Sequence, residues 1–361
     1  MEAGKENCVN TDINYIECMK DELHKNIDAN DQNIGLFTVQ PASKWIEQAK
    51  NRPIPKMLFS EFWHEGEVCI LFSDTNLGKS ILGVQIANSI SKGIPIDGFK
   101  LEANKQKVLY CDFELSDKQF QLRYSIDYQN EYIFDDSLIR VEINPESEVP
   151  TGQTFEDAIN ISLEDVIIST GVRVLIIDNL TYLRTETEKA REALPLMKSL
   201  KRLKNKYNLS ILVLAHTPKR DLTKPITRND LQGSKMLINF CDSSFAIGES
   251  SVDKSLRYIK MIKVRNTDLV YDSDNVCICQ IEKPENFLHF KFINYGVELE
   301  HLRQITEREK TDLENSVREW MDADPDMSAY AIAKKLCDDN YKFPSFKVKI
   351  SRIYNKIKDS K

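Results

Sequence analysis

Short apolar runs alternate with amphipathic segments through most of the chain. The apolar runs, rich in β-branched residues, occupy residues 68–72, 107–113, 139–143, 172–178 and 209–216. Segments with helical periodicity lie at residues 43–50, 80–91, 116–128 and 189–207. Near-continuous apolar strands separated by helices are typical of a parallel sheet covered on both faces. The pattern therefore predicts an α/β fold.

The pattern changes after Asp242. Further runs at residues 244–247, 258–266, 276–282 and 288–294 have short polar connections, which predicts that the sheet ends in antiparallel hairpins. Residues 311–361 have the pattern of three helices, with Ser328 as the N-cap of the second and the third following Pro344. We expect a polar arm over residues 1–41, a core domain over 42–300 and a helical domain over 305–361.

Composition and charge narrow the class of protein. Hydrophobic residues make up 41% of the 361 residues, enough to bury a large core. No run approaches the roughly 18 apolar residues of a membrane span, and the N-terminus lacks the pattern of a signal peptide. We therefore expect a cytoplasmic protein with no membrane partner. The net charge of −7 means that any nucleic-acid surface must be local.

One stretch, LFSDTNLGKSILGVQIANSI at residues 71–90, nearly matches the phosphate-binding loop G-x-x-x-x-G-K-[ST]. It leaves an apolar strand and enters a helix, as such a loop must. Backbone N–H groups at the helix N-terminus would hold phosphate oxygens, Lys79 would add charge, and Ser80 would ligate Mg²⁺. The candidates for binding ATP are Ser73, Asn76, Leu77, Gly78, Lys79, Ser80 and Ile81.

The stretch departs from the motif at its first position, where Ser73 replaces glycine. Gly78 stands where backbone and phosphate come closest, and Asn76 is among the few non-glycine residues that tolerate a positive φ. Ser73 stands at the strand exit, where a small residue can suffice. Two hypotheses follow: a working nucleotide site, or a site that has lost its function.

A carboxylate follows each of two apolar strands. Asp178, in VLIIDNLTYL, would lie at the carboxyl edge of the sheet and hold a water on Mg²⁺, although it could instead cap the following turn. In VLYCDFELSD, Glu114 or Asp112 could polarise the attacking water, and spacing alone does not separate them. Ser116 is typical of a helix N-cap.

These motifs together resemble the RecA-like ATPases, in particular the branch with KaiC-like proteins, DnaB-type helicases and the RepA-type hexameric helicases of plasmids. The resemblance covers residues 53–294 and includes VLYCDFE, VLIIDN and ILVLAHTPKR. It implies Glu114 as the catalytic glutamate, Asp178 as the magnesium-associated aspartate and His216 as a γ-phosphate sensor.

The resemblance also gives a role to YIKMIKVRN. Related proteins carry a Lys-x-Arg pair that reaches the ATP of a neighbouring subunit, and Lys263 and Arg265 match it. A spacing of two would place both side chains on one strand face. The resemblance thus implies a homo-oligomer, a hexamer by preference. The alternative is a solvated basic strand.

Two segments are candidates for binding DNA. The first, TPKRDLTKPITRNDLQGSKM at residues 217–236, is long and basic; it could line the channel of a ring and contact single-stranded DNA, or be a solvated excursion. The second is the last predicted helix, whose spacing resembles helix-turn-helix domains that bind duplex DNA. Its alternative is an oligomerisation or partner-docking module. The DNA-binding candidates are Lys219, Arg220, Arg228, Lys347, Lys349 and Arg352.

Three functional hypotheses follow. The first is a DNA-dependent ATPase acting as a ring-forming helicase or motor for a plasmid or mobile element. The second is a DNA-bound regulator or loader that uses ATP as a switch without strand separation. The third, favoured only if Ser73 disables the loop, is a scaffold that does not hydrolyse ATP.

Overall fold

The computed structural model describes residues 32–179, 193–218, 220–231, 234–304, 307–337 and 343–359. Most of the predicted arm, the start of the helix predicted at 189–207 and the candidate Lys219 lie outside these ranges. The chain divides into two compact units, Met1–Pro55 and Lys56–Lys361. In its described part the first unit has an antiparallel hairpin, β1 (Gln32–Ile34) with β2 (Phe37–Val39), and a helix, α1 (Ala42–Lys50).

Strands dominate the first part of the second unit. They are β3 (Met57–Phe59), β4 (Trp63–His64), β5 (Val68–Ser73), β6 (Val108–Asp112), β7 (Leu138–Val141), β8 (Val174–Asp178), β9 (Ser210–His216), β10 (Ser243–Glu249), β11 (Leu256–Lys263), β12 (Val276–Glu282) and β13 (His289–Gly296). The pair β3–β4 forms a separate hairpin. The others form one sheet in the order β13-β12-β11-β10-β5-β9-β8-β6-β7.

The direction of the strands divides this sheet in two. The six strands from β10 to β7 run parallel to one another. At the other end, β11, β12 and β13 are antiparallel to their neighbours. The mainly parallel sheet with late antiparallel strands confirms the fold class that the sequence predicts.

Helices cover the sheet and form the C-terminal part. They are α2 (Lys79–Lys92), α3 (Asp117–Arg123), α4 (Phe155–Thr170), α5 (Ala193–Tyr207), α6 (Ser234–Phe240), α7 (Glu298–His301), α8 (Glu307–Ala323), α9 (Ala329–Leu336) and α10 (Phe343–Asp359). Helix α3 is shorter than the predicted 116–128. It ends because Tyr124 packs into an aromatic cluster with Phe134 and Phe287, and the chain then turns through the positive φ of Asp127.

Apolar side chains fill both faces of the sheet. Residues of β5 alternate between the two cores: Val68, Ile70 and Phe72 pack on the face that carries α4 and α5, whereas Cys69 and Leu71 pack on the face that carries α2. This alternation is the period of two expected of a strand buried on both sides. It fixes which strand residues can point toward the helix that follows the phosphate loop.

The three C-terminal helices have a core of their own. Val317, Ile332, Ile350 and Ile357 are buried in it, and Ser328 caps α9 by accepting the N–H of Ala331 at 3.2 Å. Both the helices and this cap agree with the sequence prediction. Across the described ranges, no helix is both long and apolar enough to span a membrane.

Candidate active site

The phosphate-loop candidate joins β5 to α2 and has the backbone that such a loop needs. Asn76 has a φ of +64° and Gly78 a φ of +95°, so the two positive-φ positions are held by residues that tolerate them. Ser73 is the last residue of β5 and has no positive φ. The backbone at this position therefore does not require glycine, and the serine leaves the loop geometry intact.

Gly78 is also constrained by its neighbours. A Cβ atom at this position would lie 2.8 Å from Ile281 Cδ1 and 2.9 Å from the Phe290 ring, closer than real Cβ contacts. Those two side chains belong to the last two strands of the sheet. The late hairpin thus packs directly against the start of α2, and a larger residue would push the loop away from it.

Lys79 turns back over the loop. Its Nζ donates to the backbone oxygens of Ser73 and Asp74, each at 3.2 Å, and lies 3.1 Å from His216 Nδ1. Burial lowers the pKa of this lysine, while the carboxylates of Asp178 and Glu114 oppose that effect. The ammonium therefore lies beside the N-terminus of α2, where the backbone also favours a phosphate.

Asp178 ends β8 and is fully buried. Its Oδ2 accepts the Tyr110 hydroxyl at 2.7 Å, and Ser80 hydrogen-bonds to the same carboxylate. Burial raises the Asp178 pKa to about 6. Its Oδ1 is buried with no hydrogen-bond partner among the described residues. A hydroxyl and a carboxylate with a spare oxygen suit Mg²⁺ or its bound water.

Glu114 and Asp112 are separated by their partners. Asp112 is buried, accepts the Arg140 Nε at 3.0 Å and also accepts the N–H of Leu115. Glu114 is partly exposed and lies 3.5 Å from His216 Nε2. This contact with His216 lowers the Glu114 pKa. Asp112 is thus committed to a structural ion pair, and Glu114 is the carboxylate that faces the site.

Asn179 completes the cluster, although its sequence position suggested only a turn. Its Nδ2 donates to Glu114 and lies 3.0 Å from His216 Nε2. The structure therefore brings together His216, Lys79, Glu114 and Asn179 where β5, β6, β8 and β9 end. The register explains this, because Ser73 is opposite His216 and Asp112 is opposite Asp178 in adjacent parallel strands.

Lys263 and Arg265 lie at the other edge of the sheet. The sequence predicted that both side chains lie on one strand face. Strand β11 ends at Lys263, however, so the two residues do not share a strand face. Lys263 donates to the carbonyl oxygens of Ile238 and Cys241, at 2.5 and 2.7 Å, and Arg265 pairs with Asp242 at 3.1 Å.

The distance to the phosphate loop is large. Asp242 also accepts the N–H of Val68, the first residue of β5, at 3.0 Å. The loop leaves the far end of that strand, about 16 Å away at the usual rise per residue. Lys263 and Arg265 therefore cannot reach the loop of their own chain without a large rearrangement.

The basic segment after His216 is anchored rather than free in its described part. Arg220 is turned inward, with only 5% of its side chain exposed, and pairs with Asp74. Arg228 is exposed in a short 3-10 turn, and Lys224 is exposed beside Asp221. Of the DNA-binding candidates in this segment, Arg220 is thus the one whose position disagrees with a role at the surface.

The basic residues of α10 are on the surface. Lys347, Lys349 and Arg352 are exposed, and the Lys347 ammonium lies 5.1 Å from the centre of the Tyr330 ring on α9. The opposite side of α10 is buried through Ile350 and Ile357. The helix therefore presents a cationic face to solvent and packs Ile350 and Ile357 into the core of the three helices.

The fold and the loop define a RecA-like P-loop ATPase core. Residues 38–221, just over half of the chain, match the AAA domain family, and the chain belongs to that family. A solved structure of a KaiC-like protein from the archaeon Pyrococcus horikoshii OT3 is similar at 12% identity and a TM-score of 0.43, over 63% of this chain and 91% of that chain. Among curated proteins, none matches. Family membership supports nucleotide binding and ATP hydrolysis.

The arrangement fits ATP with Mg²⁺. The backbone of residues 74–78 and Lys79 would hold the phosphates, and Ser80 with Asp178 would hold the metal ion or its water. The ion, when bound, neutralises charge on the phosphate oxygens. Glu114, paired with His216, is a partly exposed carboxylate of the kind that could accept a proton from a water.

Replacement of each carboxylate separates the two candidate bases. We expect Glu114→Gln to lower kcat for ATP on the order of a hundredfold or more while ATP binding persists, because the proton acceptor is lost. Asp112→Asn should instead lower the free energy of unfolding by about 3 kcal/mol, since Arg140 loses a buried partner. Steady-state hydrolysis and urea unfolding measure the two effects. The opposite pattern would identify Asp112 as the base.

The serine in the loop should be nearly neutral for nucleotide affinity. Ser73→Gly is expected to change the Kd for ATP by no more than about threefold, because it removes one local hydrogen bond to the Asp74 carbonyl oxygen and one long contact to Lys79. Lys79→Ala should weaken binding by on the order of a hundredfold. Titration with a fluorescent ATP analogue gives both values. A large gain in affinity in Ser73→Gly would mean that the serine impairs the site.

Proposed function

We propose that this protein is an ATP-hydrolysing, DNA-associated ATPase that forms a ring, preferably a hexamer, and acts as a helicase or DNA motor for a plasmid or mobile element. The observation that carries the ATPase part is the convergence of Lys79, Ser80, Asp178, Glu114 and His216 at one edge of the sheet. In this proposal Glu114 polarises the attacking water and His216 senses the γ-phosphate.

The position of Lys263 and Arg265 supports assembly. They lie at the sheet edge opposite the phosphate loop, so a nucleotide within their reach would belong to another copy of the chain. An arginine supplied in trans stabilises charge on the transferred phosphoryl group. A contact between one edge of a subunit and the opposite edge of the next is head-to-tail, and such contacts close into rings when the rotation permits.

DNA association rests on local basic surfaces of an acidic chain. The exposed Arg228 in the segment after His216 is a candidate contact for single-stranded DNA, and α10 is a candidate for duplex DNA. Phosphate contacts of this kind require exposed cations that are not already paired. In α10, the side chains of Lys347, Lys349 and Arg352 are exposed.

A second function remains a candidate: a DNA-bound regulator or loader in which ATP acts as a switch without unwinding. The observation that favours it is the engagement of Lys263 with carbonyl oxygens of its own chain. If that contact persists in the assembled protein, the lysine does not reach a neighbour. ATP would then change the affinity for DNA without rapid turnover.

A mixing experiment tests the shared site. Lys79→Ala and Arg265→Ala should each lower ATP turnover in the presence of single-stranded DNA, the second by on the order of a thousandfold, since it removes the arginine supplied in trans. Mixed in equal amounts, the two variants should regain about a quarter of wild-type turnover, because about a quarter of the interfaces then combine an intact loop with an intact arginine.

The controls distinguish the two functions. Arg202→Ala removes an exposed arginine that pairs with Glu164 and should leave turnover unchanged. Light scattering should show ATP-dependent rings in the wild type. Absence of recovery in the mixture would rule out the shared site. ATP binding without turnover, together with nucleotide-dependent DNA affinity, would favour the switch.

The basic face of α10 should carry a measurable share of duplex binding. Replacing Lys347, Lys349 and Arg352 together by alanine should reduce the slope of log affinity against log salt concentration by about 2.7, if each contacts one phosphate. Fluorescence anisotropy with labelled duplex at several salt concentrations gives the slope. Alanine at Lys118, Lys254 and Lys291, which are exposed elsewhere, removes the same charge and is the control. Equal losses in both variants would contradict a specific role for α10.

A further inference from the structure

Arg220 occupies an unusual place for a basic residue in a surface segment. Its side chain is 5% exposed, its Nε lies 3.7 Å from Asp74 Oδ2, and its NH1 donates to the carbonyl oxygen of Lys224 at 3.4 Å. Asp74 is the first residue after β5, inside the phosphate loop. A guanidinium buried in this way would have to leave its partners before it could contact a DNA phosphate.

The side chain of Thr217, in the same segment, also binds Asp74. The Thr217 hydroxyl donates to the Asp74 carboxylate, and the Thr217 N–H donates to the Ser73 carbonyl oxygen at 3.1 Å. Asp74 in turn offers its backbone oxygen to Lys79. The segment after β9 thus binds the side chain of Asp74, whereas Lys79 binds the backbone oxygen of the same residue.

Arg220 is itself supported by a buried polar network. Its positive charge opposes the rise that burial causes in the pKa of Tyr258, whose hydroxyl donates to Glu298 Oε1 at 3.2 Å. Glu298 is fully buried and pairs with Lys260 at 2.5 Å. Gly248 makes room for this arrangement, since a Cβ atom there would lie 2.0 Å from the Tyr258 ring.

Glu298 and Lys260 also hold the backbone of the segment that contains Arg220. Ile226 donates its N–H to Glu298 at 2.7 Å, and its carbonyl oxygen accepts from Lys260 at 2.8 Å. The backbone on the C-terminal side of Arg220 is therefore tied to the late strands by the same ion pair. Arg220 cannot shift far while both ends of this support hold.

We propose that Arg220 is a positioning residue for nucleotide binding: it holds Asp74, and through it the phosphate loop, in the conformation that accepts ATP. This inference rests on the proposed ATPase function and replaces the expectation that Arg220 contacts DNA. The loop must keep successive N–H groups aimed at one point, and loss of an anchor lets it sample other conformations. The cost appears as a weaker affinity for ATP, because only the competent fraction binds.

The test separates ATP affinity from chemistry and from DNA binding. For Arg220→Ala we expect a rise of about tenfold or more in the Kd for a fluorescent ATP analogue and in KM, with kcat changed by less than about threefold. Affinity for single-stranded DNA at saturating nucleotide should stay at the wild-type value. Arg220→Lys, which keeps the charge, should recover part of the ATP affinity.

A double-mutant cycle identifies the partner. Asp74→Asn should raise the Kd for ATP, and adding Arg220→Ala to it should produce little further loss, because both changes break the same pair. Arg202→Ala, in an exposed arginine–carboxylate pair, is the matched control and should leave the Kd unchanged. Circular dichroism and thermal unfolding verify that each variant is folded.

Several results would overturn the inference, and the first three concern Kd, DNA affinity and coupling. They are an unchanged Kd for ATP in folded Arg220→Ala, a loss confined to DNA affinity, and strictly additive effects in the cycle with Asp74→Asn. Failure of the wild type to bind the ATP analogue would instead contradict the proposed function, and the positioning role with it. A defect in kcat alone would place Arg220 in chemistry and would equally contradict the assignment.

Discussion

The burial of α2 against the parallel strands and the late hairpin of the same sheet is the constraint on which the site depends. Ten of its fourteen residues are buried, so the helix has almost no solvated face. Gln85, in its second turn, exchanges two hydrogen bonds of 2.9 Å with the backbone of Phe290 on β13. These bonds satisfy a buried amide and hold the edge strand at the same time. With the helix held on both sides, its N-terminus and Lys79 have one position relative to the strand ends.

Three carboxylates around the loop each have a separate partner. Asp112 has Arg140, Asp74 has Arg220, and Glu114 has His216. Each of these carboxylates is compensated by a cationic or protonatable neighbour of its own. Asp178, by contrast, is held by hydroxyl groups, and its raised pKa reflects burial without such a partner. A divalent ion would stabilise a buried carboxylate that lacks a cationic partner more than it would stabilise a paired one. This fits the role that the family resemblance assigns to Asp178.

The sequence predicted the parallel strands and the loop because their signals are local: apolar runs of strand length and a spaced motif. It could not separate Asp112 from Glu114, since the deciding partner, Arg140, lies 28 residues away on a neighbouring strand. The sequence also could not predict that the Arg220 side chain turns inward, because the charge of a residue does not reveal whether it is buried. Helix α4 was missed although its signals were present: the capping box of Thr154 and Asp157, and Gly171 as the C-cap.

The contact between Gln85 and Phe290 also has a consequence for synthesis. The two residues are 205 positions apart, and the strands from β10 to β13 all follow the part of the chain that carries the loop and the strand-end carboxylates. During translation, α2 emerges long before the edge strand that covers it. The nascent chain therefore leaves the face of this helix that carries Gln85 uncovered until the last strand has left the ribosome. Interruption of synthesis after the motifs would yield a recognisable but unfinished nucleotide loop.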